Sequence, residues 1–161
     1  MNTKDLSEEQ VNIEKKKLIK YWNESDINAT TLMLQIWNGD SNGITDKGTT
    51  EILTGDGYVY EEILGCRFRI SSSAFFQVNT PATELLYSKC TEWSNINESK
   101  KTTLLDLCCG TGTIGITMAT KVDRVVGIEM IPEAIVDAKA NALMNSKYFN
   151  NLFKRICINL I

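Results

Sequence analysis

An alternation of strand and helix patterns between residues 103 and 145 constrains the fold more than any other feature of this sequence. The patterns follow one another as strand, glycine turn, helix, strand and helix, at residues 103–109, 110–112, 113–120, 124–129 and 132–145. Strands that alternate with helices form parallel sheets with right-handed crossovers. The sequence therefore predicts an α/β fold that opens like a doubly wound sheet, with one last β-like stretch at 155–161.

The first 80 residues carry a different pattern. Ser7 and Gln10 form a capping box at the start of a helix that runs to about Trp22. Short β-rich runs follow at 31–37, 58–64 and 66–71, and the last of these alternates apolar and polar residues. Runs of this kind, separated by turn-forming residues, predict a small antiparallel sheet.

A further helical pattern begins at Pro81, a favourable first helical residue, and leads out of the sheet region. Its apolar residues recur at helical spacing and include Leu85, Leu86 and Trp93. We divide the chain into an N-terminal helix and linker at 1–29, a central β region at 30–79, and a partial Rossmann-like cofactor-binding domain at 80–161.

Composition excludes several kinds of chemistry. The 161 residues contain no histidine, which rules out a Ser-His-Asp triad, a Cys-His dyad and a histidine-ligated zinc. The five cysteines form no C-x-x-C pair, so we expect reduced thiols, no metal site and an intracellular compartment: cytoplasm, nucleus or mitochondrion. No apolar run approaches the roughly 20 residues that span a bilayer, so no membrane partner is expected.

The glycine turn indicates a nucleotide-like ligand. Gly110, Gly112 and Gly115 form the G-x-G-x-x-G pattern directly after a strand, and Glu129 ends the next strand, where an acid accepts hydrogen bonds from ribose hydroxyls. Two such bonds of about 1.5 kcal/mol each would make Glu129 worth about a hundredfold in binding.

The negative charge of Asp106 favours a cationic ligand over a pyrophosphate at this turn. It lies four residues before Gly110, where its charge would repel the pyrophosphate of a dinucleotide and attract a cation. S-adenosyl-L-methionine carries a ribose, an ammonium and a sulfonium, and it therefore fits this turn better than NAD does. An NAD-dependent oxidoreductase is the alternative.

Several residues near these motifs have ordinary structural interpretations. Cys108 and Cys109 alternate on the predicted strand as small core residues do, and Phe75 and Phe76 are also typical of a core. Gln77 and Asn79 stand beside the start of a helix. Their amides could cap that helix or bind a ligand, and the pattern alone leaves both possibilities open.

Four segments together resemble the RNA uracil-5 methyltransferases, most closely the eukaryotic tRNA branch. They read F-R-I-S-S-S-A-F-F-Q-V-N-T-P-A at 68–82, L-L-D-L-C-C-G-T-G-T-I-G at 104–115, R-V-V-G-I-E-M-I-P-E-A-I at 124–135, and A-K-A-N-A at 138–142. They follow the family's order and spacing. The resemblance implies the N-terminal half of a Rossmann-like class I methyltransferase domain, preceded by a small sheet region.

The resemblance also implies a function and a set of cofactor contacts. The reaction is transfer of a methyl group from S-adenosyl-L-methionine to C5 of a uridine in tRNA. Gln77 contacts the cofactor, Cys108, Gly110 and Thr113 line its methionine end, and Glu129 holds its ribose. The net charge of −3 gives no general attraction for the tRNA partner.

The end of the chain departs from the family. Family members add a cysteine thiolate to C6 of uracil and later remove the C5 proton with a glutamate. Both groups are expected beyond the position of Ile161, and none of the five thiols stands at the nucleophile's position. We therefore expect a C-terminally truncated polypeptide that is catalytically silent alone. A non-catalytic module that binds cofactor or RNA is the alternative.

Overall fold

The computed structural model describes residues 3–39, 48–97 and 99–146, together with the backbone of 156–160. The chain divides into two compact units, Met1–Val59 and Tyr60–Ile161. None of the helices in the described part is long and apolar enough to cross a membrane. The predicted division at residues 29 and 79 stays a prediction.

The first unit begins with helix α1 (Glu8–Glu24), which confirms the predicted capping box. The Ser7 Oγ accepts a hydrogen bond from the Gln10 backbone N–H at 3.2 Å, and the Ser7 N–H donates to Gln10 Oε1 at 2.8 Å. These two bonds satisfy donors that the first helical turn leaves free. No side chain of α1 is buried, so the cap rather than a core contact fixes where this helix begins.

Strands β1 (Thr31–Ile36) and β2 (Thr49–Gly55) form an antiparallel pair in the same unit. The antiparallel arrangement was expected, but of these two strands only β1 was predicted. The first four residues of β2 are exposed, and the strand reads T-T-E-I-L-T-G without an apolar alternation. A strand that buries neither face leaves no periodic signal in the sequence, because only its backbone hydrogen bonds define it.

Strands β3 (Tyr58–Ile63) and β4 (Cys66–Ser71) form a hairpin at the predicted positions. Leu64 and Gly65, the two connecting residues, have φ angles of 51° and 72°. Two left-handed residues make the tight turn that matches the twist of an antiparallel pair. Cys66 and Phe68 are buried on one face of β4, with Ile70 half-buried beside them, as the alternation predicted.

Helix α2 (Thr80–Trp93) confirms the predicted helix and begins one residue earlier, with Asn79 as its N-cap. Its apolar positions do not form the buried face. Leu85, Leu86 and Trp93 are exposed, whereas Thr83 and Tyr87 are buried. The tyrosine ring rather than the leucine pair anchors this helix in the core.

The rest of the second unit is the predicted α/β alternation. It comprises β5 (Thr103–Leu107), α3 (Thr113–Met118), β6 (Arg124–Glu129), α4 (Pro132–Ser146) and β7 (Ile156–Leu160). The strands are parallel and lie in the order β5, β6, β7. The fold class is therefore confirmed: a Rossmann-like α/β arrangement accompanied by small antiparallel sheets. The core is apolar, and its members include Ile63, Phe68, Tyr87, Ile116, Val125 and Ile135.

Candidate functional site

The glycine loop between β5 and α3 turns through left-handed backbone conformations. Cys108, Gly110 and Gly112 have φ angles of 58°, 54° and 81°. Glycine adopts such angles at little steric cost, whereas a cysteine rarely does. The Gly112 N–H donates to the Cys109 carbonyl at 2.8 Å, which closes the turn directly before α3.

The two loop cysteines differ from the sequence expectation. β5 ends at Leu107, so neither thiol lies on the strand, and Cys108 is exposed in its left-handed conformation. The expectation of a small core residue was therefore wrong for Cys108, because the chain has already turned out of the sheet there. Cys109 is buried, and burial together with Asp106 and Glu129 raises the pKa of its thiol to about 12.

Glu129, at the end of β6, is fixed by backbone donors. Its Oε2 accepts from the Gly110 N–H at 2.8 Å, and its Oε1 accepts from Met130 and Ile131 at 2.8 Å and 3.0 Å. The hydrogen bond from Ile131, with those from Gly110 and Met130, holds the pKa of this carboxyl below its usual value despite partial burial. The carboxylate is thus ionised and tied directly to the glycine loop.

These hydrogen bonds reduce the contribution that we expect Glu129 to make to cofactor binding. A carboxylate offers about four acceptor positions, and three backbone N–H groups already use positions here. About one position remains for a ribose hydroxyl, not the two that the sequence-based estimate assumed. The expected contribution of a direct ligand contact falls accordingly to about tenfold in binding.

Asp106 lies on β5, one residue before the end of that strand. Its Oδ2 accepts from the Gly115 N–H at 2.9 Å. Burial raises the pKa of this carboxyl above its usual value, the Gly115 bond partly offsets that effect, and the nearby Glu129 adds to it. Asp106 therefore carries its charge at a cost and gains from any cation placed beside it.

The third glycine of the motif is required by this packing. A Cβ at Gly115 would lie 2.9 Å from Asp106 Oδ2 and 2.9 Å from the Val125 side chain. Contacts that short do not occur without displacement of a neighbour. Gly115 thus allows α3 to approach the sheet closely, and a cavity behind the loop is lined partly by Gly112, Gly115 and Gly127.

The segment between β4 and α2 contains the F-F-Q-V-N motif. Phe76 packs against the core, with its ring centroid 6.2 Å from that of Phe68, whereas Phe75 is exposed. The Asn79 Oδ1 accepts from the Ala82 N–H at 3.1 Å, so this amide is the helix cap. Gln77 is exposed and makes no side-chain hydrogen bond to the described residues, which leaves its amide available for a ligand.

The loop is also held from α2 and contains an orphan hydroxyl. The Tyr87 Oη lies 3.1 Å from Thr113 Oγ1 and fixes the first residue of α3. Thr111 is buried, and within the described chain its hydroxyl has no hydrogen-bond partner. Most buried hydroxyls are hydrogen-bonded, so Thr111 has an unused donor and acceptor beside the glycine loop.

Sequence reasoning missed three buried polar residues on α4. Asp137, Asn141 and Asn145 lie four residues apart and are fully buried, next to the buried apolar residues Ala134, Ile135, Ala138 and Ala142 of the same helix. Their side chains bond the backbone of β4 at Arg67, Arg69 and Ser71. Their four-residue spacing on an otherwise apolar helix face was the available signal.

The predicted site residues fall into two groups. Asp106, Cys108, Gly110, Thr113 and Glu129 lie on or beside the glycine loop, at the carboxyl ends of β5 and β6. Gln77 lies on the segment after β4, and no described contact joins it to the loop. In the described part of the chain, no group of three or more acidic or cysteine side chains is placed to hold a metal ion.

Comparison with known proteins gives consistent matches. A family model described as a methyltransferase domain matches residues 98–154. Over 95 residues, which are 59% of this chain and 15% of the relative, the sequence is 55% identical to the tRNA (uracil-5-)-methyltransferase homolog A of Mus musculus. Over 132 residues, 82% of this chain and 28% of the relative, it is 38% identical to an uncharacterized RNA methyltransferase of Oceanobacillus iheyensis.

A solved structure shares the fold. The Pyrococcus abyssi tRNA (uracil-54, C5)-methyltransferase in complex with S-adenosyl-L-homocysteine aligns with 88% of this chain and 32% of that chain, with a TM-score of 0.63 and 22% identity. The chain spans less than a third of the length of each of these relatives.

Proposed function

From the resemblance of this chain to the RNA uracil-5 methyltransferases, we propose that its glycine loop binds S-adenosyl-L-methionine as the methyl donor for C5 of a uridine in tRNA. The observation that carries this proposal is the pair of carboxylates at the ends of two adjacent parallel strands. Glu129 bonds the loop at Gly110, and Asp106 bonds α3 at Gly115. Together they border one loop with negative charge.

The charge of this pair favours a cationic ligand. Two unit charges about 6 Å apart interact by about 3 kcal/mol at an effective dielectric constant of about 20. A sulfonium near Asp106 gains an interaction of this kind, while a diphosphate loses one. Burial is the main cause of the raised pKa of Asp106, and the negative charge of Glu129 adds to it.

Each residue of the site has a distinct part in binding. Glu129 offers its remaining acceptor position to a ribose hydroxyl, and its bonds to the loop keep that position fixed. The exposed Gln77 amide contacts the cofactor, and loop positions Cys108, Gly110 and Thr113 line its methionine end. When bound, S-adenosyl-L-methionine supplies an electrophilic methyl group on a positively charged sulfur.

We further propose that these 161 residues alone do not complete the reaction. Methylation at C5 requires a thiolate that adds to C6. Burial and Glu62 raise the pKa of the Cys66 thiol to about 11, and that of Cys109 is about 12, so both thiols are protonated at neutral pH. The family resemblance places the nucleophile and the proton acceptor at no position of this sequence.

Equilibrium dialysis with methyl-labelled S-adenosyl-L-methionine tests the binding proposal. We expect retained label that excess S-adenosyl-L-homocysteine displaces and that NAD does not. Displacement by NAD alone would favour the oxidoreductase alternative, and no retention would contradict a working cofactor site.

Incubation of the same labelled cofactor with unmodified tRNA tests the proposal about turnover. We expect no label in uridine from this polypeptide, because the resemblance places the family's nucleophile at no position of this sequence. Label at uridine C5 would overturn that expectation.

A further inference from the structure

We propose that Asn141 is a positioning residue that sets the glycine loop in register with the strand leading to Gln77. This inference rests on the proposed cofactor site and goes beyond it, because none of the described hydrogen bonds of Asn141 is made to a residue proposed to bind the cofactor. Its buried amide joins two segments that lie far apart in the sequence and that both supply proposed cofactor contacts.

The contacts of Asn141 use nearly its whole hydrogen-bonding capacity. Its Oδ1 accepts from the Arg69 N–H at 2.7 Å, and its Nδ2 donates to the Arg69 carbonyl at 3.1 Å and to the Thr111 carbonyl at 3.1 Å. The amide thus pairs with β4 as a residue of a neighbouring strand would. Its second N–H extends the same connection to the glycine loop.

The hydrogen bond to the Thr111 carbonyl restrains the orientation of a peptide group between two glycines. Thr111 stands between Gly110 and Gly112, which are both in left-handed conformations and carry no side chain to restrict their backbone. Glycines permit the intervening peptide to rotate. The bond from Asn141 fixes the Thr111 carbonyl, and with it the direction of the loop that carries Gly110 and Thr113.

The end of β4, from which the Gln77 segment begins, is also held by α4. Asp137, one turn earlier on α4, accepts from the Ser71 N–H at 2.9 Å and from the Ser71 hydroxyl at 2.9 Å. Ser71 is the last residue of β4, and the segment carrying Gln77 follows it. One face of α4 therefore holds both the start of the Gln77 segment and the glycine loop.

Asn145 provides a matched control on the same helix. It is also fully buried, its Oδ1 accepts from the Arg67 N–H at 3.0 Å, and its Nδ2 donates to the Arg67 and Asn141 carbonyls at 2.8 Å each. It makes as many hydrogen bonds to β4 and α4 as Asn141 makes to β4 and the loop. Among the described contacts, however, none joins Asn145 to the glycine loop.

Calorimetric titration of the full chain with S-adenosyl-L-homocysteine compares Asn141→Ala with Asn145→Ala, after urea unfolding has identified conditions in which both are folded. We expect similar losses of stability, a Kd raised at least about tenfold by Asn141→Ala, and a Kd changed less than about twofold by Asn145→Ala. Equal effects of the two variants on Kd, or none from Asn141→Ala, would overturn the positioning role. Failure of the unsubstituted chain to bind would instead contradict the proposed function.

If Asn141→Ala does not fold, hydrogen exchange on the unsubstituted chain tests the positioning role of Asn141. The Arg69 N–H is bonded to Asn141 and the Arg67 N–H to Asn145. We expect saturating S-adenosyl-L-homocysteine to slow exchange of the Arg69 amide more than that of the Arg67 amide, because only the first is coupled to the loop. Equal slowing of both amides would overturn the inference.

Discussion

At the scale of single residues, the pKa values of two carboxyl groups at neighbouring strand ends are shifted in opposite directions. Burial raises the pKa of Asp106, whereas three backbone donors lower that of Glu129. Such divergence within one loop gives the site a fixed anion and a second acid that gains from a cation. Each consequence can be measured separately.

Glu129→Gln should destabilise the fold in a pH-dependent way. Because the folded-state pKa of Glu129 is lowered, its carboxylate contributes stability above the unfolded-state value, near about pH 4.3, and that contribution is lost as the pH falls through the folded-state value. Urea unfolding should therefore show a deficit at pH 7 that narrows in acid. Glu133→Gln, at an exposed position of α4, should show little deficit at either pH. A Glu129→Gln deficit that does not vary with pH would contradict this electrostatic explanation.

Asp106→Asn should discriminate between two ligands that differ by one positive charge. S-adenosyl-L-methionine has a sulfonium where S-adenosyl-L-homocysteine has a neutral thioether. We expect the Kd of the first to rise about tenfold and that of the second about twofold, since only the sulfonium interacts with the lost charge. Parallel calorimetric titrations measure both constants, with Glu133→Gln as a control for net charge. An equal rise for both ligands would argue against a sulfonium near Asp106.

At the scale of elements, α4 connects the sheet region to the doubly wound region through buried polar contacts in addition to the apolar core that they share. Asp137 is fully buried and accepts from Arg69 Nε at 2.8 Å and from Arg69 Nη2 at 2.6 Å, as well as from Ser71. A buried carboxylate with this many charged and backbone donors depends on every one of them. The helix is consequently sensitive to loss of a single side chain.

Asp137→Ala should lower the free energy of unfolding by about 3–5 kcal/mol, because it leaves the Arg69 guanidinium and the Ser71 N–H without their buried partner. Val136→Ala, at an exposed position of the same helix, should change it by less than about 0.5 kcal/mol. Urea denaturation followed by circular dichroism measures both. A loss below about 1 kcal/mol for Asp137→Ala would show that water replaces the missing carboxylate.

The elements that could be predicted from sequence were those with a local signal. The capping box of α1, the alternation in β4 and the strand-glycine-helix pattern each depend on residues close together in the chain. The polar contacts of α4 do not, because Asn141 and Asn145 bond backbone groups 72 and 78 residues earlier. Likewise, Cys108 was misplaced because its left-handed φ is set by the loop, not by any preference of cysteine.

At the scale of the whole polypeptide, β5 lies at an edge of the described parallel sheet. Leu105 and Leu107 project from one face of this strand and are 54% and 63% exposed. An edge strand with an exposed apolar face favours pairing with another chain. We expect this polypeptide to associate as its concentration rises, and sedimentation velocity measures that association.

The variant Leu105→Lys provides the matched test of this expectation, because a charge on the exposed face opposes edge-to-edge pairing without altering the core. Association should decrease in the variant. If the unsubstituted chain remains monomeric at all concentrations and unfolds in a sharp cooperative transition, the expected association is contradicted.

The fold class and the identity of the glycine loop followed from the sequence because the loop motif and the two flanking strands are continuous in the chain. Five of the six proposed cofactor contacts lie on or beside that loop in the structure, and whether they bind the cofactor stays a prediction. The role of Gln77 rests on the resemblance, since its segment is related to the loop only through the tertiary contacts of β4 and α4.

Amide chemical-shift mapping by NMR tests the central claim most directly. On titration with S-adenosyl-L-homocysteine, we expect chemical-shift changes concentrated at Gly110, Gly112, Thr113 and the residues after Glu129, and no comparable changes with NAD. Shifts at these amides with NAD alone, or shifts with S-adenosyl-L-homocysteine confined to other parts of the chain, would contradict it.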